Sequence, residues 1–426
     1  MTRKLWILSP IALLAFSWTL TIGIGALPFL NPEHYGLALY FLAREELGPE
    51  LISWAGILWL GVALMFFVAL SGLTLLGAPD RFDARPHTDL DRMARRVFRV
   101  NCFCLGVTLA WIAVSAAQMG GLGALVAQAQ SNALALRDQM LENKLFSGMR
   151  LLYGALPATG AMACVLLAAG RKFGTLSPHA RRLLLSVALT DLVALTLLPI
   201  IMSQRILLLH LLMASYFGIC MVHRRIVALP QLVLGAGLFL LIWILRESVT
   251  NPTLSDHGAV ELGLQKLVFY ASNDLLNTLQ PFTRDFDHTL GFFSFRFLLI
   301  LTQTEGSVLS LIPSRLEGVE EVRGGGEWSM LTTPYVDFGV AGALVLLAFF
   351  AVATAVTFHR GHFSLTAAGL YAHMAAGFML STHVQYFTNI NFVVILCLTG
   401  FIGASAPLRS LPALRPTYPL ARRRSP

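Results

Sequence analysis

The stretch LISWAGILWLGVALMFFVALSGLTLLG, Leu51 to Gly77, contains no charged residue. About 20 apolar residues in a helix span a bilayer's hydrocarbon core, and this stretch exceeds that length. Its apolar residues are continuous and do not alternate, so it reads as a spanning helix and not as a barrel strand. Similar runs recur along the whole chain of 426 residues, which is 56% hydrophobic and only 13% charged. With a mean hydropathy of +0.68 the chain is too apolar for a soluble globular protein.

The predicted fold is an all-α polytopic membrane protein with about ten transmembrane helices, at roughly 5–30, 51–77, 100–118, 150–169, 183–200, 206–222, 226–245, 338–357, 364–382 and 391–408. Basic residues orient it, because Lys and Arg collect in short cytoplasmic loops. Arg3 and Lys4, six arginines from Arg81 to Arg99, Arg171, Lys172, Arg181, Arg182, Arg224, Arg225, Arg360 and five arginines from Arg409 to Arg424 fall on one side, which is 20 of the 31 basic residues. That side is read as cytoplasmic, with both termini in. The basic start TRK precedes a long apolar run without an A-x-A site, so the first crossing reads as a retained anchor. The pI near 9.5 follows from the cytoplasmic arginines and calls for no nucleic acid. Cys102, Cys104, Cys164, Cys220 and Cys397 all fall within expected crossings, which indicates neither a disulfide framework nor a metal site.

No internal repeat is visible. The chain divides into residues 1–245 with seven crossings, 246–337 as one large outer-face segment, and 338–426 with three crossings and a basic tail. Within the outer segment, Leu264, Val268, Ala271, Leu275 and Leu279 follow helical spacing, with Lys266, Asn273, Asp274 and Asn277 on other faces. That pattern predicts an amphipathic helix along the bilayer surface. The run TRDFDHTLGFFSFRFLLILTQ after Pro281 is too interrupted for a crossing and reads as re-entrant or interfacial. A triple glycine, Gly324 to Gly326, leads back to the membrane.

Polar residues at membrane depth mark candidate sites, because they are costly unless paired or bound to a ligand. Arg205, in IIMSQRILLLHLL, stands at the outer turn between two crossings, with His210 close enough to line a pocket beneath it. Snorkelling to the interface is the competing reading for this arginine. Asp191 lies deeper and reads as structural or paired elsewhere. The outer segment adds Arg246, Arg284, Arg296, Arg315 and Arg323, whose guanidinium forks suit phosphate oxygens. The knot RDFDH, Arg284 to His288, offers Asp285, Asp287 and His288 as a place for a general base, or a solvated charged turn. Asp337, in DFG, either caps the following helix or serves in catalysis. The last outer turn, HVQYFTNIN, holds His383, Gln385, Tyr386 and Asn389, a surface on which sugars bind through hydrogen bonds and ring faces.

The C-terminal half resembles the Wzy-type polymerases of bacterial surface polysaccharides. The resemblance rests on SQR ending at Arg205, on YASNDLLNTLQPF and DHTLGFFSF in the outer segment, and on EWSMLTTPYVDFGVAGA leading into the next crossing. It implies a glycosyltransferase of GT-C-like arrangement in the bacterial inner membrane, with its active site facing the periplasm and with no cofactor or metal. A glycan on undecaprenyl pyrophosphate would be transferred to the non-reducing end of a new lipid-linked repeat unit. Arg205 would then clamp the pyrophosphate leaving group, with Arg284, Arg296, Arg315, Arg323, Tyr335, His383, Tyr386 and His210 as substrate contacts. His288, Asp287 and Asp337 are the candidate bases. Arg315 and Gly326 stand at a spacing seen in the family's outer loops. Expected partners are the lipid-linked donor and acceptor, the bilayer, a chain-length regulator and a flippase. An O-antigen ligase of the same architecture and a transporter or flippase for an anionic or lipid-linked substrate are the alternatives.

Overall fold

A computed structural model describes residues 3–78, 89–131, 135–136, 139–140, 146, 148–174, 176–202, 206–227, 229–250, 258–317, 319 and 328–404. Every regular element among the described residues is helical. The main helices are α1 (Pro10–Gly25), α2 (Gly36–Arg44), α3 (Trp54–Leu76), α4 (Leu90–Gln118), α5 (Leu156–Phe173), α6 (Pro178–Met202) and α7 (Ile206–His223). They continue with α8 (Leu229–Thr250), α9 (Ala259–Leu279), α10 (Arg296–Thr302), α11 (Glu305–Leu311), α12 (Thr333–Gly361), α13 (Leu365–Leu380) and α14 (Ile390–Gly403).

Six of these segments are long and apolar enough to cross a membrane: Pro10–Leu30, Trp54–Leu76, Leu90–Gln118, Met149–Phe173, Ile206–His223 and Thr333–Gly361. Two shorter apolar helices, α13 and α14, match the last two expected crossings. The two remaining expected crossings coincide with α6 and α8. Several boundaries differ from the sequence reading. Helix α4 begins at Leu90, where the Asp89 side chain accepts from the Arg92 N–H at 2.9 Å, a cap the hydropathy pattern does not register.

Helix α5 is the most enclosed span. Its small residues Ala158, Ala161, Ala163 and Ala169 are fully or almost fully buried and let α6, α7 and α13 approach closely. One apolar cluster joins α1, α3, α7, α12 and α13 around Trp18, Phe67, Tyr371 and Phe378. A second joins α4, α5 and α6 around Val97, Leu166 and Leu184. The outward faces stay apolar, with Leu58, Met65 and Leu73 of α3 exposed, as lipid contact requires.

At one end of the bundle, cations close helix C-termini. Arg96 donates to the Phe401 carbonyl at 2.8 Å, Lys172 to Val222 at 2.6 Å and Arg224 to His362 at 2.7 Å. Each carbonyl belongs to a helix's last turn or cap, where an intrahelical donor is lacking and the dipole favours positive charge. Burial, with the Arg224 guanidinium beside it, lowers His362 to about 4.

Helix α9 forms where the spacing predicts, but its faces are assigned differently. It is wedged against α1, α2 and α8, so Lys266, Asn273, Asp274 and Asn277 are buried instead of facing water, while Leu264 is exposed. Several of the polar groups are met within the protein: the Lys266 ammonium sits 3.8 Å from the centre of the Phe41 ring, and the Asn277 amide donates to the Asn273 oxygen at 2.8 Å, while the Asn273 Nδ2 has no partner among the described residues.

Between α4, α5 and α6, the Asp191 carboxyl accepts from the Asn101 amide at 2.5 Å and the Thr159 hydroxyl at 2.8 Å, with no solvent exposure. It is a structural tie among three helices. Interhelical hydrogen bonds in membranes each contribute about 0.6–1.7 kcal/mol. Asp191→Leu removes both and leaves the Asn101 amide only its longer bond to the Thr159 hydroxyl, at 3.2 Å, so it is expected to lower the thermal unfolding midpoint of the detergent-purified protein clearly more than Asp191→Asn, which keeps an acceptor.

Candidate functional site

The site is built at the other end of the bundle, where α4 ends and α12 and α14 begin. Helix α12 starts at Thr333 and breaks at Gly339, whose φ of 66° and ψ of −168° are open essentially to glycine alone. The break turns Asp337 aside. Its carboxylate, with no solvent exposure, takes three donors: the Thr289 hydroxyl, the Phe293 N–H at 3.1 Å and the Ser294 N–H at 2.5 Å. Asp337 is therefore not the cap of α12, because its donors come from a different segment. Backbone bonds reinforce the join, from Thr289 N–H to the Val336 carbonyl at 3.3 Å and from Leu290 N–H to the Asp337 carbonyl at 3.0 Å.

The glycines explain the closeness. A Cβ on Gly339 would lie 2.7 Å from the His288 ring, and one on Gly291, at φ 94°, would lie 2.8 Å from Phe338. DHTLGFFSF and PYVDFG are thus one interlocked unit. YASNDLLNTLQPF joins it through the Thr332 hydroxyl, which donates to the Thr278 carbonyl at 2.9 Å.

The interlock faces a cleft of about 1110 Å³. Trp111, Arg150, Phe293, Arg296, Trp328 and Gln385 are among the residues that line it. The Arg296 Nε lies 2.7 Å from a Glu305 carboxylate oxygen, and both side chains face the cleft. The Trp328 ring meets Phe293 edge-on at 4.8 Å. Gln385 is only 5% exposed, and among the described residues neither atom of its amide has a hydrogen-bond partner; the same holds for the Trp328 indole N–H. Apolar walls with a few convergent polar groups are the usual constitution of a small-molecule site.

Other residues singled out in the sequence lie around this cleft without lining it. Arg315 donates to the His288 carbonyl at 2.7 Å, and its neighbour Leu316 reaches the cleft. His288 also holds its ring against the Val336 carbonyl at 3.3 Å. Arg284 and Asp287 are exposed beside it. Tyr335 stacks on Phe282 at 4.3 Å and meets the His288 ring edge-on at 5.8 Å. His383 is paired with Asp274 of α9 at 2.7 Å. The Tyr386 hydroxyl contacts the His210 Nδ1 at 2.8 Å, and the His210 Nε2 contacts the His373 Nδ1 at 2.8 Å, a chain sealed from solvent. Burial raises the Tyr386 phenol above its ordinary range. Arg205 and Arg323 lie outside the described residues, as do Gly324 to Gly326.

Sequence reasoning passed over Arg150, Trp328 and His373, and gave Asp274 only as a polar position of α9. Trp328 sits inside a quoted motif, so a signal existed there. His373 has no local signal, because its partner is 163 residues away. Comparisons of the chain with protein-family models, with curated proteins and with solved structures each return no match.

Replacing the Asp337 carboxylate by an amide points N–H at N–H and breaks part of the join. Asp337→Asn is expected to speed hydrogen exchange at Phe293 and Ser294 by tenfold or more, for a loss of about 1.4 kcal/mol or above. Gly339→Ala, strained by about 1–3 kcal/mol at this φ and ψ, should expose the same amides. Unchanged exchange in both variants would remove the interlock from the account of the site.

Proposed function

We propose that this protein is a polymerase that joins lipid-linked oligosaccharide repeat units at the periplasmic face of the bacterial inner membrane. The observation that carries the reading is the large aromatic cleft, lined also by Arg150, Arg296, Gln303, Asn389 and Asn391, set against short apolar helices. Leu298 and Leu301 of α10 and Leu309 and Leu311 of α11 are exposed, and Leu301 and Leu309 also line the cleft. A substrate with a sugar head and a polyprenyl tail matches both surfaces, since aromatic and amide groups suit sugars and exposed leucines suit lipid. The ten-crossing, N-in and C-in topology puts the cleft at the outer face, away from the end where Arg96, Lys172 and Arg224 cap helices.

In the proposed reaction a hydroxyl of the acceptor sugar attacks the anomeric carbon of the donor glycan. The bond from that carbon to the pyrophosphate oxygen breaks, and undecaprenyl pyrophosphate leaves with the electron pair. The hydroxyl proton passes to a base. Asp337 is committed to three donors, which favours Asp287 or His288 for this task. Arg205 neutralises the pyrophosphate as it departs, a contribution of about 10²–10³ in rate for one well-placed group. Arg296 and Arg150 hold phosphate or sugar oxygens in the cleft.

The test is the banding of surface polysaccharide on gels from cells lacking the protein, complemented with wild type or with Arg205→Ala at equal expression. Deletion is expected to leave a single repeat unit on the lipid core, and Arg205→Ala to restore no ladder. Long lipid-linked polymer accumulating unattached would identify a ligase instead. A full ladder from Arg205→Ala would mean that this arginine only snorkels.

A further inference from the structure

Helices α10 and α11, seven residues each, form a hairpin along one side of the cleft. Both of its feet are pinned to the interlock: Phe293 and Ser294 by their N–H groups on Asp337, and Arg315 by its guanidinium on the His288 carbonyl. Between the feet the surface is apolar. Leu298, Ile300, Leu301, Leu309 and Leu311 are all exposed, Leu301 by 50% and Leu311 by 78%. At 3.6 residues per turn Leu298 and Ile300 point about 160° apart, yet both are exposed, so α10 is uncovered on opposite flanks. From Arg296 to Ile312 the only charged residues are Arg296 and Glu305, and these pair with each other at 2.7 Å. Hydroxyls are engaged within the hairpin too: Thr302 donates to the Leu298 carbonyl at 2.8 Å, Thr304 bonds the Thr302 hydroxyl at 2.8 Å, and Ser310 donates to the Ser307 carbonyl at 2.7 Å. At the bend, where Gln303 adopts a φ of 57°, the Thr304 N–H returns to the Leu299 carbonyl at 2.9 Å.

We infer that α10 and α11 form a membrane-embedded hairpin, dipped into the acyl-chain layer at the cleft end of the bundle. Groups placed in lipid have no water to bond, so charges must pair there, and backbone and hydroxyl groups must find partners close by. The Arg296–Glu305 pair and the internal bonds of Thr302, Thr304 and Ser310 supply those partners. A hairpin standing in water needs none of them and presents a polar flank instead. A rigid cover, whether a second copy or another segment, lies on one face of a helix, whereas fluid hydrocarbon reaches opposite flanks at once. The sequence that follows, GVEEVRGGGE from Gly318 to Glu327, offers no apolar run to lay over the leucines. Seven helical residues rise about 10 Å, which reaches into one leaflet and does not cross a hydrocarbon core of about 30 Å. Phe297, Ile300, Leu301 and Leu309 also line the cleft, so this wall of it lies at membrane depth. The placement requires only that the bundle spans a bilayer, and it holds for any substrate the cleft takes.

The experiment uses the full-length protein in nanodiscs of phosphatidylethanolamine and phosphatidylglycerol, with the photoreactive residue p-benzoylphenylalanine placed singly at Leu298, Leu301 or Leu311, irradiated and read by intact-protein mass spectrometry. All three positions are exposed, so the new side chain displaces little packing. Leu58 of α3, exposed on a crossing, serves as the lipid-facing reference, and Asp285, exposed in the charged knot, as the water-facing one. The expected result is a covalent phospholipid adduct at each hairpin position in a yield matching that at Leu58, with none at Asp285. Crosslinks between two copies would identify a dimer interface, and crosslinks within one chain would identify a cover supplied by the chain itself; either overturns the inference. It is overturned equally if the three hairpin positions yield no adduct while Leu58 reacts, or if Asp285 gains lipid as readily as they do.

Discussion

The Asp337 carboxylate, enclosed by Thr289, Phe293 and Ser294, is the contact on which the cleft end of the molecule depends. A buried carboxylate is tolerated only where several donors replace its water, and here all three come from one short segment far along the chain from the helix that carries it. The bond therefore fixes where residues 289–294 lie. Phe292, Phe293 and Arg296 follow directly, and these are the side chains that form one wall of the cleft. Gly339 and Gly291 are required because the two backbones approach too closely for a side chain at either position.

Polar groups elsewhere in the bundle follow the same logic at different depths. Asn101, Thr159 and Asp191 tie α4, α5 and α6, while Tyr386, His210 and His373 tie the last turn to α7 and α13. Asp274 and His383 tie that turn to α9. In an apolar surrounding, sliding one helix past another would strand every member of such a cluster. The clusters thus fix helix register where leucine packing alone tolerates many arrangements. Not every polar atom in these clusters is met: the His373 Nε2 and the Gln385 amide are buried without a hydrogen-bond partner among the described residues.

The hydropathy of the chain was sufficient for the all-helical class and for the positions of α1, α3 to α8 and α12 to α14, because burial in lipid demands long apolar runs and internally bonded backbone; the short helices α2, α10 and α11 left no such signal. The helical spacing of Leu264 to Leu279 was likewise sufficient for the existence of α9. It misassigned the faces of α9, since the pattern assumes that polar residues seek water. In a wedged helix they turn inward to partners on other elements, as Asp274 does to His383.

The motifs DHTLGFFSF and PYVDFG stood out in the sequence as separate stretches. Only tertiary structure makes them one object, because the hydrogen bonds that join them span more than forty residues, and no local pattern encodes a partner at that distance. The same reason separates His210, visible as a polar residue in an apolar run, from His373, whose significance comes from a contact 163 residues away. Local composition determined which segments are helices and which are too polar for lipid. Close approach in space decided which of those polar residues are structural ties and which face the cleft.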